Sequence, residues 1–260
     1  MSVQPQSRRN RIVERLRREG FCSVAVLAEQ LDVSEVTIRT DLNALEAEGL
    51  VTRIHGGAIL AGSQGRKHSF QDRLLVNQQQ KRQIARAAAE LIVDYESLIL
   101  DASTTAYAIA EFLSDRTGLT VVTNGIEVAL RLANNPTNKV ILTGGLLRRE
   151  SSSLGTQLGL GLLRELHVRK AFLSCTGWSA DLDVMDDDLF EAEIKSAMCT
   201  IAEQVIILAD ATKFSRPGLT SFATIMQIDQ LITEVSITSS LAERFQAAGV
   251  SLTICGDGAE

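Results

Sequence analysis

Five apolar runs in the C-terminal part of the chain are each followed directly by small polar residues and glycines. These segments are DASTT (101–105), TNG (123–125), TGG (143–145), SCTG (174–177) and DATK (210–213). Hydroxyl groups, amides and unhindered backbone N–H groups bind the oxygens of phosphates and polyols. The carboxyl ends of parallel strands share one edge of a sheet, where ligands bind in open α/β folds. The segments therefore predict one binding site for a small polar molecule.

The chemistry available at this edge fits a phosphorylated sugar or polyol better than a nucleotide. Thr104 and Thr105 are expected to open a helix whose N-terminus favours an anion, and Lys195 and Lys213 can add positive charge. The chain contains neither G-x-G-x-x-G nor G-x-x-x-x-G-K-[ST], which argues against a dinucleotide or P-loop site. Taken singly, a threonine there is often only a helix cap and a helical lysine is often only solvated. Convergence on one edge favours binding.

Glu191 and Lys195 allow an enzymatic interpretation as well. An aldose–ketose isomerase needs a general base near a polarised carbonyl, and a carboxylate with a lysine nearby can supply both. The two residues are four apart on one predicted helix, which is also the spacing of an ordinary stabilising Glu–Lys pair. We expect no catalytic residues and no cofactor. An isomerase, and a unit used only for assembly, remain the alternatives.

The elements that must position these residues follow from the apolar pattern. Helices are predicted near 77–92, 105–113, 126–134, 189–203 and 239–248. Strands are predicted at 97–102, 119–124, 139–145, 170–175, 205–210, 230–234 and 251–255. Because nearly continuous apolar strands alternate with helices, the sequence predicts an α/β fold with a mostly parallel sheet covered on both faces.

The N-terminal part has a different pattern. Helices are predicted at 8–19, 24–31 and 35–48, with serines at the expected cap positions. In the third helix, Ile38, Leu42 and Leu45 share the inner face. The opposite face and the cap present small or polar side chains, which a DNA major groove accepts. The candidate contacts there are Ser34, Val36, Thr37, Arg39, Thr40 and Asn43.

A glycine hairpin follows the third helix. The segment LVTRI (50–54) alternates like a strand, and HGGA (55–58) predicts a tight turn before a second strand. Such a wing places Arg53 and His55 where they can contact phosphates or the minor groove of double-stranded DNA. A three-helix bundle used for protein contacts is the alternative. The linker is predicted at 61–74, which gives a winged helix-turn-helix unit at 1–60 and an effector and oligomerisation unit at 75–260.

Charge and composition agree with this division. Residues 1–67 carry ten Lys and Arg against eight Asp and Glu, or +2, and the rest carry 16 against 24, or −8, which together give −6. The positive end favours a polyanionic partner, although a solvated charged helix has the same composition. The four cysteines are scattered without a C-x-x-C pair, as in a reduced cytoplasmic protein without a metal site. No apolar run approaches the ~20 residues of a membrane span, and no signal peptide is predicted.

The segment VSEVTIRTDLNALEAEGLVTRIHGGA (33–58) resembles the winged helix-turn-helix of the DeoR family of bacterial sugar-operon regulators. Pieces of the C-terminal part, among them LILDASTT, VVTNG, ILTGG, SSSLG, EAEIK and LADATKF, resemble the effector domain of that family, which is similar to ribose-phosphate isomerase. The resemblance implies a cytoplasmic homodimer or homotetramer. It implies that the effector pocket is lined by Asp101, Ser103, Thr104, Thr105, Asn124, Gly144, Gly145, Gly177, Glu191, Lys195 and Lys213.

Three departures from the family pattern affect these expectations. Thr40 replaces an arginine found in many relatives, which removes one potential DNA contact. Ser103 occupies the position of a glycine, and it would be strained if the turn requires a positive φ. The stretch GWSADLDVMDDD (177–188) is more acidic than the family pattern and is interpreted as a solvated loop, or as a feature that repels phosphate or selects an amino sugar. The resulting hypothesis is a transcriptional regulator, usually a repressor, whose operator affinity is controlled by a phosphorylated sugar that changes the arrangement of its subunits.

Overall fold

The computed structural model describes residues 5–19, 21–54, 56–60, 69–155, 157–215, 217–234 and 237–256. The chain forms two compact units, Met1–Gln78 and Gln79–Glu260. Within the described ranges, no helix combines the length and the apolar character needed to cross a bilayer. All four cysteines are free thiols.

The N-terminal unit is a helix-turn-helix with a three-stranded sheet. Its elements are α1 (Pro5–Glu19), β1 (Phe21–Ser23), α2 (Val24–Leu31), α3 (Glu35–Ala47), β2 (Val51–Ile54), β3 (Gly57–Leu60) and α4 (Phe70–Leu75). The predicted inner face of α3 is confirmed, because Ile38, Leu42 and Leu45 are buried in a common core with residues of α1 and α2. Ser34 caps α3 by accepting a hydrogen bond from the Thr37 amide at 3.2 Å.

The predicted wing is present. Strands β2 and β3 pair antiparallel with Ile54 opposite Gly57. Gly56 has a φ of 78°, which glycine adopts without strain. Strand β1, which the sequence analysis missed, pairs with β3 and gives the sheet order β1-β3-β2. Three residues carry too short a pattern to be recognised as a strand.

The last residues of the predicted linker at 61–74 lie in a short helix. Residues 61–68 lie outside the described part of the chain. Helix α4 begins directly after Ser69, whose hydroxyl accepts from the Asp72 amide while the Asp72 carboxylate accepts from the Ser69 amide. This reciprocal cap stabilises a helix of only six residues within the segment.

The C-terminal unit is a parallel sheet with helices on both faces. Its helices are α5 (Gln78–Glu90), α6 (Thr104–Glu111), α7 (Ile126–Leu132), α8 (Gln157–Leu163), α9 (Leu189–Ile201) and α10 (Ser239–Ala247). Its sheet consists of β4 (Ser97–Leu100), β5 (Thr120–Thr123), β6 (Lys139–Leu142), β9 (Val168–Ser174), β12 (Ala202–Leu208), β14 (Gln230–Thr233) and β15 (Ser251–Ile254), in the order β15-β14-β12-β9-β4-β5-β6. All seven correspond to predicted strands, and every pairing among them is parallel.

Apolar side chains cover both faces of this sheet, as predicted. Leu98 and Leu100 of β4 lie in one buried cluster and Ile99 lies in the other. Two small antiparallel sheets were not predicted, because four of their five strands are only two or three residues long. They are β7 (Leu146–Arg148) with β8 (Ser153–Gly155), and β10 (Gly177–Trp178) with β11 (Val184–Asp186) and β13 (Thr220–Ala223).

Candidate functional site

The centre of the candidate site is the boundary between β4 and β9. From β4 the chain adds β5 and β6 on one side of the sheet, and from β9 it adds β12, β14 and β15 on the other. A crevice opens at the carboxyl ends of strands where the order reverses in this way. Asp101 lies there and is fully buried. Its Oδ1 accepts from the Ser103 amide at 3.0 Å, and its Oδ2 accepts from the Ser174 amide at 2.9 Å.

Lys195 of α9 lies in the same network. Its Nζ donates to the Ser174 carbonyl at 2.7 Å and to Asp186 Oδ2 at 2.8 Å, and it is 3.3 Å from Asp101 Oδ2. Burial lowers the pKa of an ammonium, but Asp186 and Asp101 outweigh burial and raise the pKa of Lys195 well above its ordinary value. The alternative interpretation of Lys195 as a solvated helical lysine is therefore wrong. Three acceptors already engage this ammonium, so Lys195 holds the site together.

Ser103 is not strained. Its φ is −81° and its ψ is 157°, so the expected conflict with a positive φ does not arise. Its hydroxyl accepts from the Ala106 amide at 3.0 Å and caps α6. The serine thus supplies a cap that glycine lacks. Thr104 and Thr105 follow in the first turn, where backbone N–H groups have no partner within the helix.

Glu191 forms a second polar network with the predicted Asn124 and with two residues that the sequence analysis missed, Ser153 and Arg148. Its Oε1 accepts from Ser153 Oγ at 2.5 Å and from Arg148 Nη1 at 2.7 Å, and its Oε2 accepts from Asn124 Nδ2 at 3.2 Å. Glu191 and Lys195 therefore engage different partners despite their spacing of four residues.

The acidic stretch at 177–188 is not simply a solvated loop. Asp181 and Asp187 are exposed, but Asp186 and Asp188 are buried. Asp188 caps α9 through the amides of Phe190 and Glu191 and pairs with Arg148. The Asp188 amide donates to Asp186 Oδ1 at 3.1 Å, which joins the network of Lys195 to that of Glu191. The physical reason is local: each carboxylate has a cation or backbone N–H groups within reach.

The glycines expected in the site differ in their roles. Gly144 and Gly145 have φ values of 79° and 110°, which turn the chain from β6 into β7. Gly177 lies in β10, where it pairs with Met185. Gly125, which was not a candidate, allows the segment after β5 to lie close to the segment after β4. A Cβ at Gly125 would lie 2.8 Å from the Ala102 Cα.

Lys213 lies in the 3₁₀ turn after β12 and is half-buried. Within the described parts of the chain its ammonium has no hydrogen bond or ion pair. Its charge acts on Cys175, at the end of β9: burial raises the pKa of that thiol to about 12, and Lys213 opposes the shift. Cys175 is therefore a neutral thiol and Lys213 is a cation available to a ligand.

In the N-terminal unit, the outer face of α3 is open. Val36 is 70% exposed, and Arg39, Thr40 and Asn43 are exposed as well. Arg39 pairs with Glu35 at 2.9 Å, an exposed contact that is easily exchanged. Arg53 of β2 donates to Asn43 Oδ1, which ties the wing to the helix. His55 lies outside the described residues.

Asp41, part of the family motif, faces the protein interior. It is 2% exposed, and its carboxylate pairs with Arg8 at 2.5 Å and Arg9 at 3.2 Å. The aspartate thus joins α3 to α1. The resemblance gave no indication of this role, because the partners lie more than thirty residues earlier in the sequence.

Comparison with known proteins gives matches in the same order as the two units. Residues 8–64 match the model of the DeoR-like helix-turn-helix domain, and residues 76–235 match that of the DeoR C terminal sensor domain. The HTH-type transcriptional regulator GolR of Listeria innocua is 37% identical over 96% of this chain and 98% of its own length. The L-fucose operon activator of Haemophilus influenzae is 31% identical over 88% and 92%. The glycerol-3-phosphate regulon repressor of Escherichia coli is 29% identical over 95% and 98%.

Among solved structures, ribose 5-phosphate isomerase A from Methanocaldococcus jannaschii is similar over 53% of this chain and 55% of its own, with 15% identity and a TM-score of 0.40. That likeness is too low to bear on residue roles. Relatives that match nearly the whole chain are named transcriptional regulators, which agrees with the expectation that it is not an enzyme. With both domain models matched in order, the chain belongs to the DeoR family.

Proposed function

We propose that this protein is a DNA-binding repressor of a sugar or polyol utilisation operon, and that a phosphorylated sugar or polyol controls its affinity for the operator. The observation that carries the proposal is the presence, in one chain, of a winged helix-turn-helix and of a parallel sheet whose carboxyl edge carries a cation open to a ligand. Two points go beyond membership of the family: the effector is a phosphorylated sugar or polyol, and the protein represses transcription.

The exposed face of α3 supports DNA recognition. A helix whose outer face carries Val36, Thr40 and Asn43 fits a major groove, because these small or polar side chains leave base edges accessible. The flexible side chain of Arg39 beside them can donate to a base or a phosphate. Ser34 and Thr37 define the N-terminal end of that helix through their mutual cap. Arg53 on the wing, with His55 beside it in sequence, is proposed to contact the backbone or the minor groove.

The carboxyl edge of the sheet supports binding of a small anion. The first turn of α6, with Thr104 and Thr105, offers backbone N–H groups at the positive end of the helix dipole. Lys213 follows β12, which is two strand spacings, about 10 Å, from β4. A small phosphorylated sugar can span that distance. Asn124 and Glu191 are proposed to accept hydrogen bonds from its hydroxyl groups.

Control of DNA binding requires a coupling between the two ligands. We propose that the protein is a homodimer or homotetramer, and that the effector favours one arrangement of subunits in which paired α3 helices no longer match the spacing of the operator half-sites. If the C-terminal unit serves only for assembly, no metabolite should change the affinity for DNA.

The test begins with selection of a preferred duplex from a random DNA library. Fluorescence anisotropy on that duplex is then titrated with a panel of sugar and polyol phosphates and with their unphosphorylated counterparts. We expect at least one phosphorylated compound to weaken DNA binding and its unphosphorylated counterpart to have no effect. If no duplex is enriched, or if every compound leaves the affinity unchanged, the proposal is wrong.

Two substitutions distinguish DNA binding from the response to the effector. Arg39→Ala should weaken binding to the selected duplex and, if Arg39 contacts a base, should reduce discrimination at one position by about 1–3 kcal/mol. Arg164→Ala, an exposed arginine in the C-terminal unit, is the matched control. Lys213→Ala should leave DNA binding intact and reduce the response to the effector, with the exposed Lys139→Ala as its control. Equal loss of both activities in Lys213→Ala would assign that lysine a structural role.

A further inference from the structure

Arg148, at the end of β7, is a further cation beside the site. Its Nη1 donates to Glu191 Oε1 at 2.7 Å, its Nη2 pairs with the Asp188 carboxylate, and its guanidinium lies 5.7 Å from the centre of the Phe190 ring. The side chain is 20% exposed. The guanidinium therefore lies at the margin of the site, where solvent and a ligand can reach it.

Both carboxylates have other donors. Asp188 accepts from the amides of Phe190 and Glu191 at 2.9 and 3.2 Å. Glu191 accepts from Ser153 Oγ and Asn124 Nδ2. If Arg148 left, each carboxylate would keep two hydrogen bonds, so the large cost of an uncompensated buried charge would be reduced. Arg148 can therefore exchange its partners at a lower cost than an arginine whose carboxylate partners have no other donors.

Lys195 shows the contrast. Its side chain is 7% exposed, and its ammonium is fixed between Asp186, Asp101 and the Ser174 carbonyl. It lies within the length of α9, so it cannot change partners without moving that helix. Lys195 therefore stabilises the fold, whereas Arg148 can bind a ligand.

The backbone that carries Arg148 permits such an exchange. Strand β7 follows Gly144 and Gly145, both with positive φ, and among the described strands it pairs only with β8. Leu146 and Leu147 of β7 are 68% and 51% exposed, so little apolar packing holds this strand. By contrast, β8 is attached to the sheet by a hydrogen bond of 2.7 Å from the Leu154 amide to the Asn124 carbonyl.

We propose that Arg148 is an anion-recognising residue of the site, and that it exchanges Asp188 and Glu191 for an anionic group of the ligand. The planar guanidinium suits this role because it binds phosphate oxygens in pairs, as it binds the two carboxylates here. This inference rests on the proposed function, since it names the contact through which the site requires a charged ligand. Asp188 and Glu191 then compete with the ligand's anion for Arg148, which lowers the affinity for the ligand.

A purely positioning role makes the opposite prediction for one variant. If Arg148 only orients Glu191 and Asp188, removing the charge of Asp188 would weaken or leave unchanged the binding of an anion. If the carboxylates compete with the anion for Arg148, removing that charge must strengthen binding. Asp188→Asn suits this test, because asparagine also caps a helix and so preserves the start of α9.

The experiment is a calorimetric titration of the full chain with inorganic phosphate at constant ionic strength. Arg148→Ala should weaken phosphate binding roughly 10- to 100-fold, as expected for the loss of a charge-assisted hydrogen bond, and Arg148→Lys should restore part of it. Asp188→Asn should strengthen binding about fivefold, the effect of removing one partly buried competing ion pair. The neighbouring exposed Arg149→Ala is the matched control and should match the wild type.

The outcomes are separable from those of the proposed function. Fluorescence of Trp178, the single tryptophan of the chain, first establishes that each variant is folded. Tighter phosphate binding by Asp188→Asn together with weaker binding by Arg148→Ala supports the inference. Wild-type affinity in Arg148→Ala, unchanged or weaker binding in Asp188→Asn, or no phosphate binding by the wild type overturns it. If sugar phosphates still weaken DNA binding in Arg148→Ala as they do in the wild type, the proposed function stands and this inference fails.

Discussion

Replacement of Lys195 by methionine tests whether this lysine supports the fold of the C-terminal unit. Methionine keeps the length of the side chain and removes the charge. Asp101, which is fully buried, and Asp186 would then lie in the interior without their cation. Removing one partner of a buried ion pair costs about 3–5 kcal/mol. For a unit of this size that corresponds to a decrease in Tm of about 6–20 °C.

Fluorescence of Trp178 is the appropriate assay. Trp178 is the only tryptophan in the sequence and is buried in the C-terminal unit. Its ring stacks on that of Phe214, with 5.8 Å between the ring centroids. Thermal unfolding followed at this residue therefore reports that unit and not the DNA-recognition unit. Lys139→Met, which changes an exposed lysine, is the matched control and should alter stability by less than about 0.5 kcal/mol.

A double substitution tests the electrostatic explanation. Lys195→Met combined with Asp186→Asn leaves one fewer uncompensated charge, so it should be more stable than Lys195→Met alone. A Tm within about 2 °C of the wild type for Lys195→Met, with loss of the effector response, would refute the reasoning and return Lys195 to the set of ligand contacts. A large decrease in Tm means that a lost response in this variant says nothing about ligand contact.

Three further substitutions test other features. Asp41→Ala removes the ion pairs of a buried carboxylate with Arg8 and Arg9 and should destabilise the N-terminal unit by about 3 kcal/mol, seen as roughly 100-fold faster hydrogen exchange of the α3 amides. Gly125→Ala places a Cβ against the Ala102 backbone and should cost about 1–3 kcal/mol in the Trp178 unfolding assay; an unchanged Tm would show that the loop adjusts. Burial raises the pKa of Glu234 above 4.5, so the wild type should lose stability relative to Glu234→Gln as pH rises through that raised pKa, and the two should converge below pH 4.5. Denaturant titrations across that pH range measure the difference, and parallel curves would contradict it.

The sequence predicted elements whose signals are local. The seven strands of the large sheet are apolar runs of four to seven residues, and five of them are followed by small polar residues and glycines. Helix α3 has a serine cap and three buried side chains at helical spacing. Each of these patterns is complete within about a dozen residues. For the same reason, the sequence predicts the carboxyl edge of the sheet as the candidate site.

The sequence could not predict contacts between distant segments. Arg148 meets Asp188 and Glu191 forty or more residues later, and no periodicity or motif links them. The burial of Lys195 likewise depends on three strands and a helix coming together. Ser103 shows a different difficulty: comparison with a glycine in the family pattern suggested a positive φ, whereas the serine itself is a common helix cap.

The order in which the contacts occur along the chain has a consequence for biosynthesis. The core of the N-terminal unit runs from Ile12 to Ala58, whereas the network around Asp101 also needs Lys195, almost a hundred residues later. Long-range parallel pairing forms more slowly than local helical contacts. The ribosome therefore releases the segment proposed to recognise DNA well before the sensor can exist. A prematurely terminated product would carry that segment without the C-terminal unit, to which the proposed control by a metabolite belongs.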